Sequence, residues 1–280
     1  MTPHESQAAL LRKYGLRLNK RLGQHFLVDQ RVLARIVDSI RDLSVRRVVE
    51  LGAGAGALSA ALLRAGLQVE ALELDERMLE LLKNEYASEG LKVRRADIAR
   101  EDLAETVGSE PMCFAGNLPY QVTSPVLFSL GEALMRPACT GAILMMQAEV
   151  AARLCAKPGT KEYGVLTVLL QARCRVRRIA RVRPGSFLPP PKVHSAVVEL
   201  LPREEVVKFD ERGTKLVKEL FRERRKQIGG LLRRREGLDE DGLTQLRDST
   251  GIDPRLRPED LSISDFRALD LYLEELRNES

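Results

Sequence analysis

Strand-length apolar runs alternate with helical patterns through the first two thirds of this chain, and that alternation restricts the fold more than any other feature. The runs fall at residues 48–51, 69–74, 91–96, 112–116 and 143–146, the last two without a charge, as expected for strands of a mostly parallel sheet covered on both faces. Helical patterns fall between them. One spans 58–64 and stops at Gly66; another carries Met78, Leu79, Leu81 and Leu82 behind an Asp75 cap. Ser124-Pro125 reads as a cap and first-turn proline opening a further helix. An earlier helix shows one apolar face in Val32, Leu33, Ile36, Val37 and Ile40, and later ones are expected at 148–154 and 165–170. Late strands at 176–182 and 196–201 flank a proline-rich loop. Past Pro202 strand signals vanish, charge rises, and helical patterns follow at 216–221, 243–246 and 266–276. The expected organisation is an α/β domain over residues 1–203 and a smaller all-α domain over 204–280.

Open parallel sheets collect ligands beyond the carboxyl ends of their strands. The residues there are Gly52, Gly54 and Gly56 after the first strand, Glu73 at the end of the second, Asp97 after the third and Asn117 after the fourth. Glycines let backbone approach a ligand closely. Glu73 stands 21 residues beyond Gly52, where a carboxylate can take ribose hydroxyls, and Asp97 can accept from an adenine amino group. Gly52-x-Gly54-x-x-Ala57 satisfies the dinucleotide fingerprint, so an NAD-dependent dehydrogenase is one reading. S-adenosylmethionine is the other and the favoured one, because Glu50 places negative charge where a cationic cofactor would want it.

Asn117-Leu118-Pro119-Tyr120 has no use in a dehydrogenase. It suits methylation of an exocyclic amine on a nucleobase, whose lone pair is delocalised into the ring. The Asn117 carbonyl and the Leu118 backbone carbonyl can accept the two amine hydrogens. The Tyr120 ring can stack on a base taken out of its helix.

The net charge of +5 is modest but unevenly spread. Basic runs occur at Arg12, Lys13, Arg17, Lys20 and Arg21, at Arg173–Arg183, at Arg222, Arg224, Arg225 and Lys226, and at Arg233–Arg235. Four such runs point to a polyanionic partner without saying RNA or DNA. Cys113, Cys139, Cys155 and Cys174 are widely spaced, so reduced thiols are expected and no zinc framework. Three histidines without a His-Glu-x-x-His pattern give metal hydrolysis little support. No apolar run reaches the roughly 20 residues of a membrane helix. The amino terminus lacks a secretory pattern, although residues 10–17 have some transit-peptide character. A cytoplasmic location is expected.

Six motifs occur in the order of the ribosomal RNA adenine dimethyltransferases: Lys20-Arg21-Leu22-Gly23-Gln24-His25-Phe26-Leu27, Glu50-Leu51-Gly52-Ala53-Gly54, Leu72-Glu73-Leu74-Asp75, Ala96-Asp97, Gly116-Asn117-Leu118-Pro119-Tyr120, and Phe187 through Ser195. Over about residues 19–201 the chain resembles that family. The resemblance implies a Rossmann-like class I S-adenosylmethionine-dependent methyltransferase sheet with a helical lobe that grips RNA. It implies cofactor contacts from His25, Leu27, Gly52, Glu73, Asp97 and Asn117. Many members carry Asn where this chain has His25. It further implies that Phe187 stacks on the target base opposite Tyr120. The segment Phe221–Gln227, the Lys161-Glu162-Tyr163-Gly164 stretch and the long carboxy-terminal lobe are similar to the small-subunit branch. Members of that branch dimethylate two adjacent adenosines in a hairpin of small-subunit rRNA. The expected partner is therefore rRNA within a pre-30S particle, bound by a monomer through Arg222, Arg224, Arg225 and Lys226. A large-subunit resistance methyltransferase and an assembly factor with secondary methylation are the alternatives.

Overall fold

The computed structural model describes residues 7–16 and 24–279. The chain forms two compact units, one of residues 1–151 and 175–202, the other of 152–174 and 203–280.

The first unit is built on a seven-stranded sheet. Its strands are β2 (Arg47–Leu51), β3 (Gln68–Glu73), β4 (Lys92–Arg95), β5 (Met112–Asn117), β6 (Cys139–Gln147), β7 (Cys174–Val182) and β9 (Ser195–Pro202), in the order β4-β3-β2-β5-β6-β9-β7. Strands β2 to β6 are parallel, and β9 runs antiparallel to β6. Val48, Val49, Leu51, Phe114 and Ala115 are fully buried, which explains the unbroken apolar runs of β2 and β5. A separate two-stranded ribbon pairs β1 (Phe26–Leu27) with β8 (Phe187–Leu188).

Helices α1 (Gln7–Lys13), α2 (Gln30–Arg41), α3 (Ala57–Arg64), α4 (Glu76–Tyr86), α5 (Leu103–Thr106) and α6 (Thr123–Ala133) connect or flank these strands, and α7 (Ala148–Leu154) follows β6. Asp29 and Asp75 cap α2 and α4 by accepting from the amides of Arg31 and Arg77. The expected Ser124 cap is not formed: α6 starts at Thr123, with Val122 in the cap position and no side-chain cap. The Pro119 carbonyl accepts from both the Val122 amide and the Thr123 hydroxyl. The turn through Asn-Leu-Pro-Tyr thus runs straight into the helix and reaches it earlier.

β2 lies between β3 and β5, so the chain leaves it toward opposite sides of the sheet at the crevice where ligands bind in such folds. Gly116 allows β5 to close on β2 there, since a Cβ at that position would lie 2.5 Å from the Leu51 carbonyl oxygen.

The second unit contains α8 (Val165–Gln171), α9 (Glu211–Arg222), α10 (Ile228–Glu236), α11 (Glu240–Thr250) and α12 (Ile263–Glu279). Its core gathers Val217, Leu220, Leu231, Leu246, Phe266 and Leu269. Residues 152–174, assigned from sequence to the first domain, belong here instead. Tyr163, Val168 and Leu169 enter this core, and the Thr167 hydroxyl and Gln171 amide tie α8 to the carbonyls of Arg153, Leu154 and Ala156. Periodicity showed that α8 buries an apolar face but not which core receives it.

Candidate active site

A cleft opens at the carboxyl ends of β2, β3 and β5. His25, Leu27, Gly52, Glu73, Asp97, Asn117, Leu118 and Tyr120 all line it. The turn after β2 is shaped by contact and by charge. Gly54 has φ +56°, and a Cβ there would lie 2.6 Å from the Phe26 ring. The Gly54 amide donates to Glu73 Oε2 at 2.7 Å. The amides of Gly52 and Ala53 both donate to the Leu72 carbonyl, and that of Gly56 to Ala53.

Glu73 is 8% exposed. Its Oε1 accepts from the amides of Leu74 and Asp75 at 2.8 and 2.9 Å. A carboxylate offers about four acceptor sites, so the remaining capacity of Glu73 lies on Oε2. Burial pushes its pKa up, against the pull of these three backbone donors. Asp97 caps its own turn through the Ala99 amide at 3.1 Å.

Glu50, 2% exposed, accepts a hydrogen bond from the Ser59 hydroxyl. Burial pushes its pKa up to about 8, with a smaller push from Glu73. Burial therefore opposes the charge expected of Glu50.

At the end of β5 the Asn117 side-chain amide donates from Nδ2 to the His25 carbonyl at 2.7 Å. That bond fixes the amide orientation and leaves Oδ1 as the acceptor presented. His25 Nδ1 lies 2.8 Å from the Pro189 carbonyl; a carbonyl only accepts, so Nδ1 carries the hydrogen. Tyr120 stacks on the His25 ring, centroids 5.7 Å apart and planes at 28°. Its hydroxyl meets the Ser195 hydroxyl at 2.8 Å. Two contacts thus fix the ring in the cleft wall.

The donor set decides between the two cofactors. Among the described residues, Glu73 and Asp97 line the cleft beside the buried Glu50, and no lysine or arginine does. The amides of Gly52, Ala53, Gly54 and Gly56 are occupied within the protein and are not available to a pyrophosphate. An adenosine-bearing cation fits this lining; a dinucleotide does not.

Comparison with known proteins agrees. Residues 15–274 match the ribosomal RNA adenine dimethylase family. The chain belongs to that family. It is 40% identical to the ribosomal RNA small subunit methyltransferase A of Geobacter sulfurreducens, covering 92% of this chain and 96% of that one. The protein of the same name from Lactobacillus acidophilus is 36% identical, with 92% of each chain covered. Among solved structures, a dimethyladenosine transferase from Plasmodium falciparum superposes with a TM-score of 0.71 at 25% identity, covering 91% of this chain and 98% of that one. The 23S rRNA methyltransferase ErmE gives 0.65 at 25% identity, covering 89% and 99%. The fold is accordingly that of the class I methyltransferases, the enzyme is an rRNA adenine dimethyltransferase, and its cofactor is S-adenosylmethionine.

Within this dimethylase not every expected site residue reaches the cleft. Phe187 does not line it. The residue is 3% exposed, pairs with Leu27 in the β1–β8 ribbon and packs into the main core. The stacking expected of Phe187 is not formed in this structure, where the β1–β8 ribbon packs the ring into the core.

The basic run after α9 also divides. Arg222 and Arg225 are exposed. Arg224 is held by Glu259 and by the Lys161 carbonyl, and Lys226 pairs with Glu223 at 2.5 Å. Arg17, Lys20, Arg21, Leu22 and Gly23, parts of the first motif and basic run, lie outside the described residues.

Sequence reasoning passed over Gln24, Phe26 and Ile98, which line the cleft, and Ser59 and Ser195, which fix Glu50 and Tyr120. Gln24 donates to Asp75 Oδ2 at 3.1 Å. Ile98 had a legible signal in following Asp97 directly at a strand end. Ser59 had none, and Ser195, although it closes the sixth motif, gave no sign of its partner 75 residues away.

Proposed function

We propose that this enzyme methylates N6 of two adjacent adenosines in a hairpin near the 3′ end of small-subunit rRNA, within a pre-30S particle. We place its action in the cytoplasm and take it to work as a monomer. The observation that carries the chemistry is the bond from Asn117 Nδ2 to the His25 carbonyl, which leaves Oδ1 facing the cleft as an acceptor. The bound cofactor supplies a methyl group already activated on a sulfonium. Everything else is alignment.

Asn117 Oδ1 and the Leu118 carbonyl accept the two hydrogens of the adenine amine. That holds the nitrogen with its lone pair out of conjugation and directed at the methyl. Tyr120, braced by His25 and Ser195, stacks on the base and repays part of the unstacking cost, on the order of 1–3 kcal/mol. After transfer the cationic amine is acidic, and its proton passes to those carbonyls or to water without a dedicated base. Glu73 and Asp97 hold the ribose and adenine of the cofactor, with Gly52 and Leu27 packing beside it and His25 setting the wall.

Labelled S-adenosylmethionine and unmethylated small subunits test the reading, with product nucleosides mapped by mass. Dimethyladenosine at two adjacent positions is expected. Label confined to large-subunit RNA overturns it.

A further inference from the structure

Four basic runs mark this sequence, and the structure treats them differently. On α10 each arginine meets a carboxylate: Arg233 with Glu240, Arg234 with Glu223 and Arg235 with Glu219. After α9, Arg224 and Lys226 are likewise paired. Strand β7 is the exception. Arg175, Arg177, Arg178, Arg181 and Arg183 fall within nine residues that contain no acid, and all five are exposed. Arg177 pairs with Glu199 of the neighbouring strand at 2.9 Å. Arg175, Arg178, Arg181 and Arg183 have no ion-pair partner among the described residues.

β7 is the outermost strand of the sheet, beside β9. Side chains alternate along a strand. Cys174 and Val182 are buried on one face, while Arg175, Arg177, Arg181 and Arg183 stand on the other. From Arg175 to Arg183 is about 26 Å at roughly 3.3 Å per residue. The direction of this row matters. β9 begins at Ser195, which is bonded to Tyr120 in the cleft, and the loop joining β7 to β9 contributes the β8 strand that pairs with Phe26 and Leu27. The Arg183 end of the row therefore lies at the cleft end of the sheet.

We propose that this edge of the methyltransferase unit is a second RNA-binding surface, on which Arg175, Arg181 and Arg183 neutralise backbone phosphates of the rRNA flanking the target adenosine. The proposal rests on the functional reading above. Charge complementarity selects the partner: a row of unpaired guanidiniums can donate to successive phosphate oxygens. Arg177 is left out because removing it would strand the buried Glu199 carboxylate. The competing role is protective, since basic side chains also keep edge strands from pairing with other chains.

The test is the salt dependence of binding to unmethylated small-subunit RNA for the wild-type chain, for Arg175→Gln/Arg181→Gln/Arg183→Gln, and for the matching triple Lys variant. If the edge holds phosphates, the slope of log K against log salt falls by about 2–3 in the Gln variant. Most of the slope returns in the Lys variant, while cofactor affinity and Tm stay at wild-type values. An unchanged slope in a Gln variant that still methylates overturns the proposal and leaves edge protection. Failure of the wild-type chain to bind or methylate small-subunit RNA overturns the functional reading, and this surface with it.

Discussion

Asn117 joins both halves of the chemistry in one side chain. Its Nδ2 is committed to the His25 carbonyl, so its Oδ1 has one orientation, and a substrate amine meets an acceptor whose reorganisation is already complete. Asn117→Ala removes that acceptor while leaving the RNA-contacting surface intact. A fall in kcat of about 10²- to 10³-fold is expected, with the Kd for small-subunit RNA within about 3-fold of wild type. Equal losses in turnover and RNA affinity, measured by single-turnover methylation and filter binding, would remove the assigned role. Glu50 gives a second residue-scale consequence. Its pKa rises from 4.5 in the unfolded chain to about 8 in the fold. Between those values the native state holds a proton that the unfolded state has lost, so this residue makes stability decline as pH rises. The decline is complete above about pH 8. Glu50→Gln keeps the shape without the proton, and its Tm should change less than wild type between pH 5 and 8.5. Parallel Tm profiles for the two proteins would show that Glu50 ionises normally.

Elements too short to announce themselves control the wall of the cleft. β1 and β8 are two residues each, joined across more than 150 positions, and no local pattern foretells such a pairing. The central strands β2, β5 and β6 were legible because burial on both faces leaves continuous apolar runs. Their ends were legible because Gly52, Glu73, Asp97 and Asn117 interrupt those runs where a ligand would lie. The ribbon, by contrast, decides by tertiary contact alone that Phe26 sits against Gly54 and that Phe187 turns into the core. Phe187→Ala separates the two roles weighed for that ring. As a core residue it should cost about 3–5 kcal/mol of unfolding free energy, read from denaturant titration. Unaltered stability with a raised KM for RNA would return it to base stacking.

At the scale of the molecule, every cofactor-contacting residue proposed above belongs to one unit, and the exposed Arg222 and Arg225 belong to the other. The sequence marked that division near Pro202 through the loss of strand patterns. It missed that residues 152–174 return to the helical core, because an amphipathic helix carries no label for its partner. It also presented Arg222, Arg224, Arg225 and Lys226 as one equivalent group, since pairing partners such as Glu259 stand far along the chain. Separate units imply separable losses. Arg222→Gln/Arg225→Gln should raise the KM for small subunits by about tenfold at moderate salt and reduce the salt slope by about 1–2, while cofactor Kd and Tm hold. Arg224→Gln should behave in the opposite way. Its guanidinium binds Glu259 and the Lys161 carbonyl, so stability should drop before any RNA effect is seen, and restoring the fold with lower temperature should restore RNA binding. Calorimetry with cofactor, thermal unfolding and RNA titration on the same variants distinguish the two patterns. An Arg224→Gln protein with wild-type Tm but weakened RNA binding would place Arg224 back among the RNA contacts.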